Sequence, residues 1–495
     1  MLFNSFHFLI FFTVIGFLYF FIPYKYRWAM LLLASCYFYM AFIPIYILIL
    51  FITITIDYFA GILIEGSEGK KKKLYLIASI ISTCAVLFIF KYFNFFNDSV
   101  IAIAGYFGLV YRSAGLDIIL PIGLSFHTFQ SLSYVIEVYY GRFKAERNFG
   151  IYSLYVMFFP QLVAGPIERP QNLLHQFYEK HDFNYEDAVY GLRLMLWGLF
   201  KKAVIADRLA VMVGVVYQDV HAFGGLTLAA STVLFAFQIY CDFSGYTDIA
   251  RGTARFMGFR LRENFKAPYF AESISEFWKR WHISLSTWFR DYVYIPLGGN
   301  RVREFRHYLN LMIVFLVSGF WHGANWTFVI WGGLHGLYST ATLLFKKLRL
   351  PAAAGRWFEN RNLLRKIAKR SLVFFLVTIA WVFFRAKSLP EAAYIIERIF
   401  TDGQSFAQFG GYMLDANFGQ LINALFPAAV LLDVVLAIFS IALLLLFDTL
   451  NEKFDVLASI SRKPGYVRWS YYYFLLLMII FFGIFNNSQF IYFQF

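Results

Sequence analysis

Apolar stretches about as long as a bilayer is thick recur along the whole of this 495-residue chain. A helix needs roughly 20 apolar residues to cross about 30 Å of hydrocarbon. Candidates lie near 5–22, 28–42, 43–64, 74–96, 117–140, 151–167, 188–217, 226–247, 307–323, 324–345, 371–386, 427–448 and 468–486. Some are short enough to be half-helices. The pattern predicts an all-α polytopic membrane protein of about 11–13 transmembrane or re-entrant helices. No internal repeat or low-complexity linker divides it, so a single domain over 1–495 is the simplest organisation.

Composition agrees. Only 15% of the residues are charged and 60% are hydrophobic, where a soluble protein of this size carries about 25% charged residues. The net charge of +14 then reads as basic loops kept on the cytoplasmic side, not as a nucleic-acid surface. Residues 346–370 carry nine Lys and Arg and residues 401–426 carry none. The first loop is expected in the cytoplasm and the second outside, which sends 487–495 out as an external C-terminal tail. The apolar N-terminus, without a small-residue cleavage site after it, reads as a retained first helix. Cys36, Cys84 and Cys241 have no spacing for a disulfide framework or a metal site.

Segment 251–306 differs from the rest. It holds 11 basic and 5 acidic residues, with Trp278, Trp281 and Trp288 among them. It reads as cytoplasmic amphipathic helices with tryptophan at headgroup level. Two roles stand side by side: a surface anchor, or a basic vestibule for an anionic donor, with Arg280, His282 and Arg290 as its contacts.

Ionisable residues inside a bilayer are costly, so each is a functional candidate. Of nine histidines, His7, His175, His181, His221 and His307 fall in loops or at segment ends. His127 reads as a satisfied core residue. His282 reads as structural or donor-contacting. His322 and His335 remain, each followed by glycine, in sequence expected within the bilayer. On one continuous helix they would point roughly 220° apart and lie about 20 Å apart along the axis. They cannot then share a reacting atom. A helical hairpin over 307–345 would put His322 near its turn and His335 partway down the second arm. A neutral histidine can take the proton from a hydroxyl as that oxygen attacks an acyl carbonyl. Asp57, Glu137, Asp242 and Asp248 leave a transporter or flippase open, and a non-catalytic scaffold is a third reading.

The stretch Trp321-His322-Gly323-Ala324-Asn325-Trp326, with Gly333-Leu334-His335-Gly336, resembles the membrane-bound O-acyltransferases, above all their bacterial branch. Further matching stretches are Pro160 to Ile167, Asp242 to Asp248 and Phe277 to Ser286. The resemblance covers most of the chain. It implies a ring of tilted helices around a central channel, with the catalytic histidine at His322 and a supporting one at His335. It implies transfer of an acetyl group. The basic segment makes acetyl-coenzyme A the natural donor, an acyl carrier protein would suit the same charges, and no permanently bound cofactor or metal is expected. The acceptor would be an exported polysaccharide, alginate-like or peptidoglycan, reached through a periplasmic partner of the SGNH-esterase type. The expected location is the bacterial inner membrane. The ending Phe490-Ile491-Tyr492-Phe493-Gln494-Phe495 resembles a terminal motif of the same branch, in which the tyrosine is proposed to carry the acyl group. Tyr492 is therefore a possible acyl carrier, or else an aromatic interface anchor.

Overall fold

The computed structural model describes residues 1–111, 113–347, 362–427, 429–485 and 490–491. Among these, every regular element is a helix. Seven helices among the described residues are long and apolar enough to cross a bilayer: Pro44–Glu65, Gly69–Tyr106, Gly225–Phe256, Trp326–Phe345, Leu363–Arg385, Leu431–Asn451 and Gly465–Phe482. The chain is a multi-pass all-α membrane protein. Several other apolar stretches are broken for local reasons. In 151–167 the helix Phe149–Met157 stops before Pro160, and turn and coil follow from Val163 to Arg169. The stretch 188–217 is interrupted by a π-helical turn, Phe200–Ala206, where Lys201 and Lys202 are buried.

The chain packs as two compact units, 1–197 with 246–263 and 198–245 with 264–495. In the first, helices α1 (Phe6–Phe21) and α2 (Tyr24–Met40) precede α3 (Ile47–Glu65), α4 (Gly69–Leu87) and α5 (Leu124–Tyr139). The last three pack on one another. Gly61 permits the approach of α3 to α5, since a Cβ there would lie 2.6 Å from the Tyr134 ring. Buried polar groups in this unit find local partners. Asp57 accepts hydrogen bonds from the Ser79 hydroxyl at 2.7 Å and the Thr83 hydroxyl at 3.1 Å. Glu137 accepts from Gln171 at 2.5 Å, and Asp248 pairs with Arg251 at 3.3 Å. Each carboxylate is thus held by its own neighbours, which is how buried charge is tolerated.

The second unit carries α6 (Asp207–Gln218), the greater part of α7 (Gly225–Phe256), the short helices α8 (Ile274–Arg280) and α9 (Ile283–Phe289), and a hairpin of α10 (Glu304–His322) and α11 (Trp326–Lys347). Helices α12 (Asn362–Arg385), α13 (Leu431–Asn451) and α14 (Gly465–Phe482) complete it. The hairpin expected over 307–345 is present, and glycine sets its spacing. A Cβ on Gly319 would lie 2.3 Å from the Phe328 carbonyl oxygen, and one on Gly332 would lie 2.3 Å from that of Phe315. Small residues facing each other let two helices approach backbone to backbone.

The tryptophans expected at headgroup level in 251–306 are placed differently. Trp281 and Trp288 are buried. Trp281 stacks on Phe277 at 5.5 Å and meets Phe265 edge-on at 5.0 Å. Large aromatic surfaces gain more from such partners than from partial exposure. Most of the basic loop 346–370 and Tyr492 lie outside the described residues.

Candidate active site

Three histidines of the second unit converge on one aromatic cluster. His322 is the last residue of α10, where the helix gives way to extended backbone at Gly323. Its side chain is 3% exposed. Nδ1 lies 2.6 Å from the carbonyl oxygen of Ser318, one turn earlier. A carbonyl can only accept, so Nδ1 carries a proton, and in the neutral ring Nε2 is then the nitrogen with the lone pair. The imidazole packs edge-on against Trp321 and Trp331, each at 4.8 Å between ring centres, and against Phe384 at 5.7 Å.

His335, on α11, is fully buried and shows the opposite arrangement. The Trp278 indole N–H donates to its Nδ1 at 3.3 Å, so its proton sits on Nε2. Trp331 lies between the two histidines, 5.0 Å from His335 and 4.8 Å from His322. With both rings neutral, the hairpin therefore presents an acceptor nitrogen on one imidazole and a donor N–H on the other, with an indole between them. His335 Nε2, Trp331 Nε1 and Trp381 Nε1 are buried N–H groups with no acceptor among the described residues. Such groups are rare in folded proteins, and here all three belong to one cluster, since Trp381 stacks on Trp331 at 5.8 Å.

His282, expected to be structural or to contact the donor, is the third member. Its ring is 6.5 Å from that of His322 and packs edge-on against Phe243 at 4.6 Å. Its backbone has φ 43°, in the left-handed region. A non-glycine residue held there is strained, and such strain gathers at functional sites. Burial, and next the nearby His322, push its pKa well below the usual histidine value. The ring is therefore neutral near pH 7. Nothing in the local sequence marks this conformation.

The expected vestibule residues separate. Arg290 lines a cavity of about 610 Å³ with Lys279, His307, Trp278, Phe315 and Ser318. Its wall thus includes the residues that bond both hairpin histidines. Arg280 does not line it, and its guanidinium pairs with Glu276 and Glu452, whereas that of Arg290 pairs with its neighbour Asp291. Burial opposes that charge, yet the two carboxylates outweigh it and hold Arg280 above its ordinary pKa. His282 is turned toward His322. Lys279 and His307 were not singled out by sequence; as isolated basic residues they carried no spacing signal.

A family model described as MBOAT, the membrane-bound O-acyltransferase family, matches residues 148–384, which include His282, His322 and His335. The probable alginate O-acetylase AlgI of Azotobacter vinelandii is 39% identical over 435 residues, covering 86% of this chain and 81% of that protein. The chain belongs to the membrane-bound O-acyltransferase family. It is an O-acyltransferase. The peptidoglycan O-acetyltransferase of Helicobacter pylori is 36% identical over 441 residues, 80% of this chain and 79% of that one. A teichoic acid D-alanyltransferase of Streptococcus thermophilus is 30% identical over 229 residues, 44% of this chain and 55% of the other. These relatives of the membrane-bound O-acyltransferase differ in the acceptor that their names give. Asp57, Glu137, Asp242 and Asp248, the acidic residues that left a transporter open, meet Ser79, Gln171, Lys202 and Arg251 respectively.

Proposed function

We propose that this O-acyltransferase takes an acetyl group from a cytoplasmic donor, acetyl-coenzyme A, for O-acetylation of an exported polysaccharide, with His322 as the general base. The observation that carries this is the Nδ1–H bond from His322 to the Ser318 carbonyl. It directs the basic lone pair to Nε2 in a site closed off by aromatic rings. In the reaction, Nε2 takes the proton of an acceptor hydroxyl as its oxygen attacks the thioester carbonyl carbon. The carbon–sulfur bond then breaks, and the thiolate leaves as the thiol with the proton held by His322. The negative oxygen that develops needs donors already in place. The buried N–H groups of His335, Trp331 and Trp381 suit that need, which gives His335 its supporting role.

The cavity beside Lys279, Arg290 and His307 supports an anionic donor, because guanidinium and ammonium groups hold phosphates well. The membrane is the inner membrane of a bacterium on this reading. The acceptor is an alginate-like exopolysaccharide or peptidoglycan, in keeping with the names of the relatives. A periplasmic SGNH-type partner completes the transfer. Tyr492, outside the described residues, is the proposed intermediate acceptor that hands the acetyl group on.

The test is His322→Ala in reconstituted protein supplied with labelled acetyl-coenzyme A. Loss of a general base should lower acetyl transfer by about 10²- to 10⁴-fold. Full transfer by the variant would make the chain a conduit or scaffold and would sink the catalytic reading.

A further inference from the structure

The Asp242 carboxylate is buried on α7, and its two oxygens face different partners. Oδ1 lies 2.6 Å from Lys202 Nζ. Oδ2 accepts a hydrogen bond from the backbone N–H of Ile491 at 2.8 Å, across 249 residues of sequence. Lys202 also holds Asp207 at 2.8 Å. The π-helical turn that carries Lys202 receives the chain a second time, where the Ile484 N–H donates to the Ala203 carbonyl at 2.9 Å. The side chains agree with the backbone. Phe490 and Ile491 are buried. The Phe490 ring lies 5.5 Å from Phe243, which lies 4.6 Å from His282, which lies 6.5 Å from His322.

We infer that Asp242, fixed by Lys202, is a latch that docks the chain's own C-terminal segment against the histidine cluster and positions that segment for acyl transfer. A buried carboxylate is tolerated only when both oxygens are satisfied. Lys202 neutralises it and sets its orientation, and the second oxygen is then presented to one backbone N–H. A backbone donor carries no side-chain identity, so the Phe490 ring against Phe243 supplies the register. Phe243 belongs both to the socket and to the wall of His282, so docking and the state of the cluster are coupled through one ring. Ile491 directly precedes Tyr492 in the sequence. The positioning role rests on the acyl-transfer reading above; the docking does not.

Ile491→Pro tests the latch most directly, because proline removes the N–H and leaves Asp242 and Lys202 intact. Hydrogen exchange of the C-terminal peptide in detergent-purified protein reports docking, and acetyl transfer in liposomes reports function. A bond to a charged group supports a change of about tenfold or more, so the variant should exchange faster and transfer more slowly by at least that factor, with the thermal midpoint kept. Asp242→Asn, which retains one acceptor oxygen, should fall between it and the natural chain. Ile491→Ala, which retains the N–H, should restore tail protection and transfer together. Unchanged exchange in Ile491→Pro overturns the latch. A released tail with full transfer overturns its positioning role. If the unaltered protein transfers no acyl group, the functional reading fails and the exchange result still decides the docking.

Discussion

The two hairpin histidines have opposite proton arrangements because of what stands beside each ring. A carbonyl next to His322 forces the proton onto Nδ1, and an indole N–H next to His335 forces it onto Nε2. Residue identity alone makes the two equivalent. The same reasoning separates the two roles open to Tyr492. An interface anchor needs the ring, whereas an acyl carrier needs the hydroxyl. Tyr492→Phe keeps the first and removes the second. The expected outcome is complete loss of polymer acetylation with normal membrane insertion, read by mass spectrometry of the envelope polysaccharides. Normal acetylation in that variant would leave Tyr492 as an anchor.

At the scale of elements, the α10–α11 hairpin is a device for setting one distance. Gly319 and Gly332 bring the two backbones together, and that approach fixes Trp331 between His322 and His335. Methyl groups forced into packed interiors cost about 1–3 kcal/mol, and here the obstacle is backbone, which cannot rotate away. Gly332→Ala should therefore lower the thermal midpoint and the transfer rate together. Gly411 gives a contrast: it lies in the helix Gly403–Leu414, and a Cβ there meets nothing within 4 Å. Gly411→Ala should be neutral or slightly stabilising, because alanine favours helix over glycine by about 1 kcal/mol. Equal midpoints for the two variants would mean that the close approach does not matter.

For the whole molecule, the decisive quantity is orientation in the bilayer. The proposed donor is cytoplasmic and the proposed partner is external, so the basic loop and the Lys/Arg-free segment 401–426 must face opposite sides. Single cysteines at Arg365 and Gly410 test this in a background lacking Cys36, Cys84 and Cys241. In intact spheroplasts a membrane-impermeant maleimide should label Gly410→Cys at once and Arg365→Cys only after lysis. The reverse pattern would place donor and acceptor on the wrong sides and refute the proposed direction of transfer.

By itself the sequence determined the helical membrane class, because runs of apolar residues leave few alternatives once charge is scarce. It also determined the hairpin, because the successive apolar stretches 307–323 and 324–345 must run across the membrane and back. The broken stretches at Pro160 and at Lys201–Lys202 were less legible, since hydropathy averages over the residues that interrupt a helix. Only the tertiary structure decided what surrounds each histidine. Trp381 is 59 residues from His322, and His282 depends on a backbone conformation that no residue type announces. Arg280 meets Glu452, 172 residues away, while Arg290 meets its neighbour Asp291. Asp242 gave a motif in the sequence and a purpose only in the fold, where its second oxygen meets the chain's own end. Hydropathy and spacing act between neighbours along the chain, whereas burial, proton placement and ion pairing depend on groups that meet only after folding.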